Sequence, residues 1–350
     1  MLRLSPSRPR LRCLLALGVF LMAHSVLAED APPNVTGLQS DVVFSQYSPL
    51  SGNAELARRL LSPLTAAQLP RILARTGKVL RDQPINLSQE KFVVYAPARA
   101  PPHGYGLMVF VPPWPQAVLP RGWASVLDRY GLIFVSAARS GNEAEMLSRR
   151  APLALLGAAN IMARYKLDPE RIYIGGFSGG SRVAMRLALG WPDLFRGALL
   201  NAGADPIGDE QVPLPPSDLF RLFQEETRLV YVSGAYDRVN LGLDAIGAAS
   251  MRDWCVFDVE TEVAPRVGHA AVDSTALARA LAALTHPARA DPAKLAACRS
   301  AIDKKLAAAL GDVESLQASG RRDEAQKLLI KIDRRFGGLA APRSVDLTAP

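Results

Sequence analysis

The chain has 350 residues, 49% of them hydrophobic and 21% charged, and a formal net charge of +8. That length and balance suit one substantial α/β domain with an appendage, and the 27 prolines with the Ala/Arg bias read as codon usage rather than as disorder. The positive excess is no nucleic-acid footprint, because four arginines stand in the N-terminal leader and no basic stripe interleaves with aromatics.

Arg3, Arg8, Arg10 and Arg12 form a basic region, Cys13–Leu21 an apolar core, and Val26-Leu27-Ala28 a small-residue cleavage site before Glu29. Residues 1–28 therefore read as an export signal, too short for a membrane span, and no later apolar stretch is long enough for one. Cys13 opens the apolar run rather than following it, which argues against lipid attachment. The expectation is a periplasmic or secreted protein of net charge +4 once the four arginines are removed. Cys255 and Cys298 remain, either as a disulfide suited to an oxidising compartment or as two separately buried thiols.

Residues 29–89 read as an N-terminal extension packed on the core, with an edge strand at Val42–Tyr47 and helical stretches in Asn53–Val79 interrupted by Pro63 and Pro70. Residues 90–289 carry the strand signals: Lys91–Ala96, the fully apolar Gly106–Val111, Gly131–Ala137, Arg171–Gly175, Gly197–Leu200, Leu229–Ser233 and Cys255–Val263. Helical patterns lie between them at Arg121–Tyr130, Glu143–Tyr165, Ser181–Leu189, Asp218–Glu226 and Leu241–Met251, and Ala270–Leu284 follows. Strands alternating with helices imply an α/β fold with a doubly wound, mostly parallel sheet. Residues 290–337 differ: Lys294–Gln317 and Arg322–Phe336 are amphipathic segments joined at Ser319-Gly320, a C-terminal αα-hairpin. It reads as a packing element, with docking of a protein partner as the other reading, and residues 338–350 read as a loosely held tail.

The chemistry concentrates at Gly176-Phe177-Ser178-Gly179-Gly180, a G-x-S-x-G turn between a buried strand and a helix. In that context the pattern is a nucleophile elbow. The serine sits on a strained turn, and flanking side chains would collide with strand or helix. An acid and a histidine should follow in the order Ser, Asp/Glu, His. After Ser178 only His269 and His286 remain, and His269 stands between the last strand and a helix, whereas His286 ends that helix before Pro287. Asp237 follows the Leu229–Ser233 strand in LVYVSGAYD, 59 residues after the serine and 32 before His269. Asp205, Asp209 and Asp244 are the rivals, the first after too early a strand and the last inside a helical stretch. Two oxyanion donors are needed: the Gly179 amide is one, and in Pro112-Pro113-Trp114-Pro115-Gln116 the prolines have no N–H, which leaves Trp114 favoured over Gln116. Trp114 read as a hydrophobic lid is the alternative. Arg139 and Asn142, in the loop after the third strand, are candidates to read a polar acyl group, or else belong to a solvated turn.

The stretches LDPERIYIGGFSGGSRVAMRLA, WPDLFRGALLNAG, LVYVSGAYD and the closing Gly268-His269 resemble the α/β-hydrolase superfamily, in particular exported esterases of the polyhydroxybutyrate-depolymerase and feruloyl-esterase kind. The resemblance spans about Ala100 to Ala283 and implies Ser178 as nucleophile, Asp237 as acid and His269 as base. One departure stands out: Pro112-Pro113 occupies the place where such enzymes have His-Gly. The resulting expectation is an exported serine ester hydrolase acting through an acyl-enzyme, on a small-molecule or polymeric ester. No Cys/His cluster has metal-ligand spacing, and the chemistry requires neither a metal nor an organic cofactor. The alternative is a catalytically weakened hydrolase-fold protein that scaffolds a cell-envelope partner. A peptidase of the prolyl-oligopeptidase type fits less well, since no propeller or other gating domain is recognisable.

Overall fold

The computed structural model describes residues 35–77, 81–286 and 290–348; the predicted export signal lies outside the described residues. Eight strands form one sheet: β1 (Gly37–Val42), β2 (Phe92–Ala96), β3 (Tyr105–Val111), β4 (Leu132–Ala137), β5 (Leu167–Phe177), β6 (Gly197–Asn201), β7 (Arg228–Gly234) and β8 (Val259–Ala264). Their order is β1-β2-β4-β3-β5-β6-β7-β8; β2 runs antiparallel to both its neighbours, and the pairs from β4 to β8 are parallel. This is the doubly wound architecture of the α/β-hydrolase fold.

The connecting helices are α3 (Ala124–Tyr130), α4 (Ala151–Arg164), α5 (Gly179–Gly190), α6 (Ser217–Glu226) and α7 (Arg238–Asp253), with α8 (Ser274–Leu284) after the last strand. Period-2 alternation along β3 separates two cores. Leu107, Val109 and Val111 join a cluster with α4, α5, α6 and α7, while Met108 and Phe110 face α3 and α8. Every residue of β3, β4, β6 and β7 is buried, as sheets covered on both faces require.

Several boundaries move from their sequence-based positions. The edge strand lies at Gly37–Val42 and not at Val42–Tyr47, pairing with β2. Pro63 opens helix α2 (Pro63–Arg75), following α1 (Asn53–Leu60), whereas Pro70 does not interrupt it. Pro70 is exposed, so water can satisfy the carbonyl its ring leaves without a donor. Cys255 is not in a strand: it takes φ +64° just after α7, and β8 begins at Val259.

The C-terminal helices α9 (Pro292–Ala318) and α10 (Arg322–Phe336) form the hairpin. A Cys255–Cys298 disulfide ties it to the end of α7, and Arg299 bonds Gln224, Glu225 and the Arg221 carbonyl on α6. Asp333 of α10 accepts from the Leu64 amide and the Ser62 hydroxyl, supplying α2 with a cap its own N-cap side chain does not provide. The expectation of a loose tail fails up to residue 348. Gly338 donates to the Leu214 carbonyl, and Ala340 and Ser344 are fully buried against the hairpin and neighbouring loops.

Candidate active site

Ser178 caps α5 at φ +54° and ψ −123°, a conformation that costs an L-residue energy and persists only where neighbours over-determine it. Close approach explains the two motif glycines. A Cβ on Gly176 would lie 2.3 Å from the Gly180 carbonyl oxygen, and one on Gly180 would lie 1.9 Å from the Val111 carbonyl oxygen. The elbow is thereby pressed against the end of β3. The Ser178 amide donates to the Asn201 carbonyl at 2.8 Å, which fixes the turn to β6.

The carboxyl ends of the strands bring Ser178, His269 and Asp237 together. His269 Nε2 lies 3.0 Å from Ser178 Oγ, and Nδ1 lies 2.6 Å from Asp237 Oδ2. The imidazole also packs on Phe177, ring centroids 4.9 Å apart. His269 reaches the serine because residues 265–273 return across the end of β7: the Tyr236 amide donates to the Val267 carbonyl, and the Val272 amide to Asn201 Oδ1 at 3.0 Å. Helix α8 is capped by Asp273 and not by the histidine, which leaves both ring nitrogens for the serine and the aspartate.

Asp237 is buried at the N-cap of α7. Burial pushes its carboxyl up, but hydrogen bonds from Asn240 and His269 outweigh that effect and hold it below the usual carboxylate range. Asn240 was not singled out in the sequence. Its Nδ2 donates to both Asp237 oxygens, at 2.9 and 2.8 Å, and stands 3.1 Å from His269 Nδ1. The signal for it was available: an N-cap aspartate followed three residues later by a second polar side chain places both on one turn. Asn201 was also missed. It joins the elbow to the histidine loop, through its backbone carbonyl on one side and its side chain on the other.

The rival acids are engaged elsewhere. Asp205 pairs with Arg182 and Arg186, Asp209 accepts from the amides of Gln211 and Val212, and Asp244 accepts from Ser233. His286 is exposed at the end of α8, with Nδ1 2.8 Å from the Ala282 carbonyl.

As the first residue of α5, Gly179 has an amide with no acceptor in its own helix. The Trp114 backbone lies against Gly141, where a Cβ would come within 2.7 Å of its carbonyl carbon. Its ring stands 6.0 Å from Phe177, and its buried Nε1 has no hydrogen-bond partner among the described residues. Asn142 is at the site: its Oδ1 lies where a Cβ on Gly179 would fall 2.2 Å away. Arg139 is not brought to the serine. Its guanidinium donates to the Gln89 carbonyl at 2.7 Å and pairs with the buried Glu90 at 3.0 Å, at the margin of β2.

Comparison with known proteins gives a limited likeness. No family model matches the chain. It is 28% identical over 98 residues to a poly(3-hydroxybutyrate) depolymerase of Ralstonia pickettii, a match that covers 24% of this chain and only 20% of that protein. Among solved structures, an α/β-hydrolase from a Medee basin deep-sea metagenome library aligns over 54% of this chain and 81% of its own, at 16% identity and a TM-score of 0.41. An acetyl xylan esterase from Aspergillus awamori aligns over 52% and 89%, at 14% identity and a TM-score of 0.39. With the eight-strand order and the strained serine turn in place, the chain has the α/β-hydrolase fold and is similar, over part of its length, to a polyester depolymerase.

Proposed function

We propose that this protein is an exported serine ester hydrolase that works through a Ser178–His269–Asp237 triad and an acyl-enzyme. The observation that carries the reading is the continuous hydrogen-bonded line from Asp237 through His269 to Ser178, at 2.6 and 3.0 Å. His269 Nε2 takes the Ser178 proton as Oγ attacks the ester carbonyl, and Asp237 stabilises the imidazolium that forms. The amides of Gly179 and Trp114 stabilise the oxyanion. His269 then passes the proton to the departing alcohol, leaving Ser178 acylated. Water, deprotonated by His269, attacks the acyl carbonyl and releases the acid. One such oxyanion donor contributes about 3 kcal/mol to lowering the barrier.

An ester is favoured over a peptide by the partial likeness to the depolymerase. His269 is 46% exposed, and Tyr236 and Val239 are exposed beside Asp237, an open site suited to small or surface-presented esters. The leader sequence supports export, and so does the Cys255–Cys298 disulfide, which persists in oxidising compartments. Among the described residues no helix is long and apolar enough to cross a membrane.

Labelling with a fluorophosphonate tests the reading. Wild type is expected to label, and Ser178→Ala and His269→Ala are not. A folded wild type that stays unlabelled would sink the triad and restore the reading of a binding protein with a silent hydrolase fold.

A further inference from the structure

The loop after β3 has an unusual hydrogen-bonding inventory. In Pro112-Pro113-Trp114-Pro115, three of four residues have no N–H, so the loop cannot fix itself with its own amides. It is held through its carbonyls, and among the described residues the three donors to them come from the segment after β4. The Arg139 amide donates to Pro115 at 2.6 Å, the Asn142 amide to Pro113 at 3.0 Å, and Arg150 Nη2 to Pro112 at 3.0 Å. Arg150 is the one side chain among them. Its Nε donates to the Ser140 carbonyl at 2.9 Å, so one guanidinium clasps the oxyanion loop to the loop that carries Asn142.

Arg150 is 6% exposed, and among the described residues no ion pair joins it to a carboxylate. Desolvation pulls its pKa down, and the nearby Glu143 carboxylate offsets this only in part. Such burial is unfavourable unless hydrogen bonds compensate it. The planar fork of arginine meets two carbonyls at fixed angles, which the point charge of a lysine cannot reproduce.

Resting on the ester-hydrolase reading above, we propose that Arg150 is a positioning residue for the oxyanion site, holding the Pro112–Trp114 turn so that the Trp114 amide faces the Ser178 oxygen.

The test compares wild type with Arg150→Met and Arg150→Lys by three measurements. These are kcat and KM on p-nitrophenyl butyrate, affinity for an aryl trifluoromethyl ketone that adds to the serine as an oxyanion, and amide exchange across residues 110–118. Arg150→Met is expected to lower kcat by roughly 10–100-fold with KM within about twofold, less than outright removal of an oxyanion donor. Ketone affinity should fall in parallel, Arg150→Lys should be intermediate, and exchange at Trp114 and Gln116 should accelerate. A folded Arg150→Met with kcat within about twofold of wild type and unchanged exchange overturns the proposal. So does exchange that accelerates throughout the fold, since the arginine is then only structural. If the wild type itself does not turn over the ester, the ester-hydrolase reading fails, while the exchange measurement still decides whether Arg150 holds the loop.

Discussion

At the scale of single residues, the site depends on groups that hold the three central side chains as much as on those side chains. Asn240 donates to both oxygens of Asp237, and hydrogen bonds to a charged group contribute about 1.5–3 kcal/mol each. Asn240→Ala is therefore expected to lower kcat on a simple ester about tenfold with little change in KM, which steady-state kinetics would show. Asp244 behaves differently. Burial raises its pKa to about 6 despite the hydrogen bond from Ser233, and its Oδ1 has no partner among the described residues. An unfolded aspartate titrates near 3.9, so between about pH 4 and 6 the unfolded chain gives up a proton that the folded one keeps. Asp244 therefore costs the fold stability as pH rises through that window, by up to about 2–3 kcal/mol. Asp244→Asn is expected to unfold at higher urea than wild type at pH 8 and to match it near pH 4. Equal midpoints at both pH values would contradict this account.

At the scale of elements, the elbow is a contact between three backbones and not a property of the serine alone. The ends of β3, β5 and the start of α5 meet where Gly180 stands, and a methyl group there would sit 1.9 Å from the Val111 carbonyl oxygen. Gly180→Ala must displace either the helix or the Val111–Pro112 backbone. It is expected to reduce ester hydrolysis to background and to destabilise the fold by about 3 kcal/mol or more, measurable by urea denaturation. The sheet shows which elements were legible in advance. β3 and β4 could be placed within a residue because continuous apolar runs of strand length bounded by turns have few other uses. The edge strand was misplaced, since β1 is half exposed and carries Gln39, Ser40 and Asp41, so its sequence has no hydrophobic pattern to set a register.

At the scale of the whole molecule, the hairpin and the N-terminal helices are joined to each other and to the hydrolase core by a few specific contacts. The Cys255–Cys298 bond links positions 43 residues apart, a span for which a disulfide contributes about 3–4 kcal/mol. Replacing both cysteines by serine is expected to lower the thermal midpoint by several degrees and to leave kcat within about twofold, because Cys255 follows the end of α7 opposite its N-cap Asp237. An equally large loss of kcat would mean that the hairpin supports the site directly.

The sequence by itself determined the local facts: the order of strands and helices, the serine turn, and the identity of the histidine and aspartate that could answer it. Each rests on a short-range rule, either hydrophobic periodicity, the steric demand of a tight turn, or chain order after the nucleophile. The tertiary structure decided what depends on separations of tens to hundreds of residues. It chose the disulfide over two free thiols, packed the tail up to residue 348, turned Arg139 toward Glu90, and set Arg150 against the Pro112 carbonyl. Hydrogen bonds to backbone carbonyls carry no signature in the accepting residue, since every residue has a carbonyl. For that reason Ser178, Asp237 and His269 could be read from the chain, and the carbonyl contacts of Asn201 and Arg150 could not; Asn240, which bonds the Asp237 side chain three residues before it, left a local signal that chain order after the nucleophile does not use.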